Sequence, residues 1–199
     1  MIIVDVETTG LDPNKHCIVS IGAIDFFNPK SQFYQECRIF EGAEITKEAL
    51  NLNGFTEEQI KDPKRKSQYE IIKEFLSWII RLDNNTIAGQ NPSFDRDFLK
   101  ATAKRCNVNW PLHHRTIDLH SLCYAHFLKR LIKPPYRDGM NNLSPVQIYN
   151  YVGLPEEEKP HIGLTGAKME AEAFSRLIYG KNLLDEFIIY PIPVYLIQK

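Results

Sequence analysis

The first forty residues hold three apolar runs, at 2–6, 18–27 and 33–40, separated by the turn-rich stretches TTGLDPN and NPKSQ. Runs of this length between Gly, Pro, Asn and Asp predict three strands in an antiparallel meander. The periodicity then changes. Residues 68–82 place Ile72, Phe75, Leu76 and Ile79 at helical spacing, and NTIAGQN reads as a short buried strand. Ser93 is expected to cap a second helix with Phe94, Phe98 and Ala101 on one side. TIDL at 116–119 predicts another strand, before a helix over 119–132 that KPPYRDG ends. Two more helices are expected, one over 144–151 closed by Gly153, the other from Thr165 as N-cap to 179, closed by Gly180. Three antiparallel strands followed by alternating helices and strands imply an α/β fold, a mixed sheet with helices packed on it. The apolar tail LLDEFIIYPIPVYLIQK, with two prolines, reads as an extended packed segment or an exposed partner-binding arm.

A chain of 199 residues is large enough for one domain with a substantial core. Its 25% charged and 43% hydrophobic residues, with no apolar run near the roughly 20 needed to span a bilayer, argue against a membrane protein. No export pattern opens the sequence, so a cytoplasmic location is expected. Cys17, Cys37, Cys106 and Cys123 are widely spaced with no CxxC pair, which disfavours a zinc site and suits reduced structural thiols. Lys and Arg number 24 against 25 Asp and Glu, so no overall positive field attracts nucleic acid. If phosphate is the substrate, bound metal must supply the positive charge.

The opening IIVDVETTGLDP carries two acids inside an otherwise apolar strand. Residues two apart on a strand share a face, so Asp5 and Glu7 project together, about 6 to 7 Å apart. At an effective dielectric near 20 their repulsion costs about 2 to 3 kcal/mol, which a divalent cation reverses. The pair alone fits an ordinary solvated strand face equally well.

The longer string VDVETTGLDP resembles the first motif of the DEDD-type 3′-to-5′ exonucleases, the DnaQ-like proofreading family that includes the polymerase III epsilon subunit. GQNPSFDRDFL resembles the second motif and puts the third acid at Asp95. HIGLTGAKMEAEAFSRLI resembles the third, with His161 where the histidine subgroup has its general base, and NNLSPVQIYNYVGLP resembles the helix leading into it. The resemblance covers roughly residues 1–179. It implies a ribonuclease H-like fold, a mixed five-stranded sheet flanked by helices, with an exonuclease domain over 1–180 and a C-terminal extension over 181–199. It further implies two Mg2+ or Mn2+ ions about 4 Å apart on the scissile phosphate. In that scheme Asp5 bridges both ions, Glu7 holds the first, Asp95 the second, and His161 takes the proton from the attacking water. Thr8, Thr9, Gly10 and Leu11 would cradle the terminal nucleotide, with Asn91 and Phe94 also on the substrate, and Leu11 or Phe94 as the stacking platform. Asp97 reads as solvated. The implied partners are single-stranded DNA or RNA 3′ ends, with a DNA polymerase as a candidate protein partner; ETTG is closer to the DNA-trimming members.

The pattern breaks at the fourth acid, which in the family lies five residues after the histidine. That position is Gly166, which offers no ligand atom. Gln90 also stands where a histidine often precedes the asparagine. On a helical plot Ala167, Ala171, Phe174, Leu177 and Ile178 form an apolar stripe, with Glu170 inside its edge. Glu170 lies one turn beyond Gly166, about 6 Å along the axis, and its longer arm leans back toward the metal position. The alternative is a Glu170 that reaches solvent or pairs with a basic neighbour. Three readings stay open: an exonuclease acting weakly or through a substitute ligand, an inactive relative that binds nucleic acid ends or a protein partner, and a variant altered at one aspartate. The presence of Asp5, Glu7, Asp95 and His161 together favours a family enzyme, or a variant of one altered at that aspartate, over a long-decayed function.

Overall fold

β1, Ile2–Thr8, is buried along almost its whole length because strands flank it on both edges and helices cover it on both faces. The computed structural model, which describes residues 1–197, pairs β1 antiparallel with β2, Ile18–Asp25, and β2 antiparallel with β3, Gln32–Glu36. On its other edge β1 runs parallel to β4, Ile87–Gly89, which is parallel in turn to β5, Ile117–Asp118. The order β3-β2-β1-β4-β5 makes a mixed five-stranded sheet.

Alternation along β1 sorts its side chains between two cores. Ile2, Val4 and Val6 pack with α3, Gln68–Ile79, and α4, Ser93–Arg105, through Ile72, Phe75 and Phe98. Ile3 faces the other way, toward α5, Leu119–Lys129, α6, Pro145–Val152, and α7, Gly163–Tyr179. Asp5 and Glu7 share that second face.

Glycine decides how closely α7 approaches. Asp5 pairs across the sheet with Gly22, and a Cβ on Gly22 would collide with the Gly163 carbonyl. A Cβ on Gly163 would lie 2.7 Å from the Asp5 carbonyl oxygen. With neither present, the first turn of the helix rests directly on β1 beside the acid.

Several elements differ from the sequence reading. Ser93 is the first residue of α4 rather than its cap; Pro92 takes the N-cap position, and the Ser93 hydroxyl donates to Asn91 Oδ1 instead. Thr165 lies inside α7, whose N-cap is Ile162. Two short helices went unread, α1, Lys47–Asn53, and α2, Glu57–Lys61, capped by Thr46 and Thr56. So did the hairpin of β6, Tyr136–Arg137, and β7, Met140–Asn141. Gly153 and Gly180 do close α6 and α7, at φ 76° and 62°.

The tail is neither extended nor a free arm. It forms a 3-10 turn at Asp185–Phe187 and a last short helix, α8, Val194–Ile197, with Phe187 and Leu196 buried against α7's core; Gln198 and Lys199 lie outside the described residues. What fastens it is a fully buried ion pair on α7, Glu172 and Arg176, at 2.8 Å. Arg176 donates to the carbonyls of Val152, Gly153, Phe187 and Tyr190 and to Asn182 Oδ1, while Glu172 accepts from the Leu183 and Leu184 amides.

Candidate active site

β4 is only three residues long, so the Val6 amide on β1 runs past it and needs another acceptor. Asp95, in the first turn of α4, supplies it: Val6 N–H donates to Asp95 Oδ1 at 2.9 Å. This bond brings the third acid to the first two. His161 arrives from the opposite side, its amide donating to the Leu52 carbonyl at 3.0 Å, with Pro160 seated on Gly54 at the end of α1.

Together these elements enclose one open cavity of about 550 Å³. Asp5, Glu7, Asp95, His161 and Glu170 all line it. Thr8, Gly10, Leu11, Asn91 and Phe94 do so as well, and Leu11 is 82% exposed at the mouth. Thr9 does not reach it: the residue is fully buried and its hydroxyl donates to the Glu44 carbonyl at 2.7 Å. Gly166 also stays beneath the floor, where a Cβ would overlap Asp5 Oδ2, so the Asp5 carboxylate leans into the space that a side chain at 166 would occupy. Asp97 is exposed and paired with Arg96.

Glu170 neither reaches solvent nor pairs with a base. It is 7% exposed, its neighbours Lys168 and Arg176 are engaged with Glu186 and Glu172, and its Oε2 sits against Gly89 without a hydrogen-bond partner. The sequence reading also missed an acid. Glu157 lines the cavity with an unpartnered, buried Oε1, and its Oε2 stands 3.6 Å from His161 Nδ1, just beyond hydrogen-bonding reach. It belongs to the run EEEK at 156–159, which looks like any solvated charge cluster; its place four residues before His161 was the available signal.

Burial and crowding shift every one of these carboxyls upward. Burial, then Glu170 and Glu7, hold Asp5 well above the usual carboxylate range. Glu7 rises to about 7 by burial and by Glu157, and Asp95 rises to about 7 by burial against the opposing Val6 amide. Burial lifts Glu157 to about 7 and, with Asp95, lifts Glu170 well above its ordinary value. Burial and Lys159 lower His161, so its imidazole is neutral at neutral pH and free to accept a proton. The folded protein therefore holds protons that the unfolded chain releases near pH 4.5. For the metal-free protein, stability is expected to fall as pH rises from about 4.5 through 7. Glu7 alone, moved from 4.5 to about 7, accounts for about 3 kcal/mol of that loss. Urea unfolding with a chelator, between pH 4.5 and 8, measures it.

Five buried or half-buried carboxylates face a cavity whose wall, among the described residues, has no Lys or Arg. Oxygen donors of this kind fit Mg2+ or Mn2+, and the cysteines do not compete, since Cys17, Cys37 and Cys123 are buried thiols outside the cavity. Among the described residues no three His, Cys, Asp or Glu side chains are gathered closely enough to hold one ion as they stand. The donor set fits the ion in chemical kind, and the carboxylates would turn about their side-chain torsions to hold it.

The exonuclease family model, RNase_T, matches residues 2–174, and the chain belongs to that family of phosphodiester hydrolases. A PolC-type DNA polymerase III from Thermotoga petrophila is 28% identical over 178 residues, 89% of this chain and 12% of that protein. Ribonuclease T from Haemophilus influenzae is 29% identical over 122 residues, covering 54% of this chain and 52% of its own. The chain thus spans only part of these relatives, from 12% of the polymerase to about half of the ribonuclease. Among solved structures, the nuclease domain of 3′hExo, a DEDDh family member bound to rAMP, superposes with a TM-score of 0.68 at 18% identity, over 92% of this chain and 93% of that one. The likeness is one of fold: the ribonuclease H-like sheet flanked by helices. Among the described residues no helix is long and apolar enough to cross a membrane.

Proposed function

We propose that this chain is a 3′-to-5′ exonuclease that removes nucleotides from single-stranded nucleic acid ends. The observation that carries the reading is the meeting of Asp5, Glu7, Asp95, Glu157, Glu170 and His161 in one open cavity, with apolar surface at its rim. Divalent cations, Mg2+ or Mn2+, would be held by Asp5, Glu7 and Asp95 and would offset phosphate charge and acidify a water. His161, whose amide is held on the Leu52 carbonyl, would take that water's proton. Leu11 and Phe94 offer faces for the terminal base, and Asn53, donating to the Thr8 carbonyl at 3.0 Å, fixes the strand end beneath it. A cavity of this size takes a mononucleotide. The two relatives divide between a DNA polymerase and a ribonuclease, so both nucleic acids belong in the test, and the PolC-type likeness makes a DNA polymerase the protein partner to assay.

The second reading is a binder of nucleic acid ends that does not cut, and Gly166 favours it. End-labelled single strands of DNA and RNA, incubated with Mg2+ or Mn2+, separate the two. We expect mononucleotides released from the 3′ end, and a His161→Ala variant slower by about 10²- to 10⁴-fold. Binding without release in either metal would favour the inert reading.

A further inference from the structure

The negative charge in the cavity exceeds what Asp5, Glu7 and Asp95 account for. Glu170 comes from the second turn of α7 and Glu157 from the loop before His161, and each has one carboxylate oxygen, Oε2 of Glu170 and Oε1 of Glu157, that is buried and without a partner. An unpartnered carboxylate oxygen inside a protein is costly unless a cation or a proton meets it. Neither acid has a Lys or Arg near it in the cavity wall among the described residues. Glu170 is more than nine-tenths buried, and its Oε2 lies over Gly89, the last residue of β4, where that strand's pairing with β1 has ended. Gly89 allows this: a Cβ there would stand 2.9 Å from Glu170 Oε2. On the same helix Gly166 leaves open the space into which Asp5 tilts, so α7 presents its carboxylate one turn later than position 166.

We infer that Glu170 and Glu157 are ligands of the divalent cations in this cavity, together replacing the carboxylate that Gly166 does not provide. The inference rests on the reading of the cavity as a metal-dependent hydrolytic site. Glu170 lines the same cavity as Asp5 and Asp95, and Glu157, beside Glu7 in that lining, has its Oε2 3.6 Å from His161 Nδ1.

The competing account is a Glu170 that stays protonated and serves as a neutral hydrogen-bonding group. Glutamine mimics that form, which makes Glu→Gln the discriminating change. Calorimetric titration of the full chain with Mn2+ would compare the native protein with Glu170→Gln, Glu157→Gln and, as a control, Glu156→Gln, whose side chain is exposed and outside the cavity. Each metal-free protein would also be melted, and we expect both cavity variants to melt no lower than the native chain because a crowded buried charge has been removed. The expected result is a loss of Mn2+ affinity of about tenfold or more in Glu170→Gln and in Glu157→Gln, with Glu156→Gln unchanged. Native affinity in folded Glu170→Gln and Glu157→Gln would overturn the inference while leaving the exonuclease reading intact. Absence of Mn2+ binding by the native chain at millimolar metal would overturn both. Should Glu170→Gln melt low, the Glu157→Gln titration decides the matter by the same criterion.

Discussion

Asp5→Asn is expected to slow nucleotide release by more than about 100-fold and to abolish stabilisation by Mg2+, while the metal-free protein melts higher than the native one. Asp5 is the carboxylate on which the others converge: burial holds its carboxyl well above the usual range, and Glu170, Glu7, Asp95 and Glu157 all add to the shift. Removing a group in direct contact with the cation costs more than the 10- to 100-fold typical of groups one layer further out. Removing its charge also relieves repulsion in a poorly solvated place, which is why stability and activity should move in opposite directions. Melting curves with and without Mg2+, beside a release assay on the same preparations, check both halves. Equal Mg2+ shifts in the two proteins would contradict the assignment.

The second large effect lies far from the cavity. Arg176→Ala is expected to cost about 3 to 5 kcal/mol, because it leaves Glu172 as an uncompensated charge at zero exposure and strips the donor from four carbonyls. Denaturant unfolding of the two proteins at pH 7 gives the difference directly. Because Arg176 ties α6, α7 and the tail together, loss of the tail's protection from proteolysis should accompany the change.

Where turn chemistry and strand alternation act locally, as in residues 1–40, the sequence was legible down to the shared face of Asp5 and Glu7. The same holds for α3, which begins at a Ser67–Glu70 capping box and keeps Ile72, Phe75 and Ile79 on one buried side. α2 could have been read in the same way, since Thr56 and Gln59 form a capping box too. Ser93 misled because a proline with helix-compatible geometry, φ −65°, already stood in the cap position. Glu157 and the tail were beyond local rules. Whether an acid in EEEK faces water or Glu7 depends on how the loop folds over α1, and whether a proline-bearing tail docks depends on an arginine many residues earlier finding its carbonyls. The site motifs were readable by resemblance, but the direction of Glu170 was a tertiary fact, set by the Gly22 and Gly163 contact that lays α7 on β1.

The overlap between a side chain at 166 and the Asp5 carboxylate also sets an order on sequence change. An aspartate introduced at 166 would enter space that Asp5 now fills, in a cavity that Glu157 and Glu170 already face. Its benefit would depend on Asp5 turning away first and on one glutamate giving up its charge. Substitutions at 5, 157, 166 and 170 are thus expected to be epistatic as a group, which double-mutant cycles would measure.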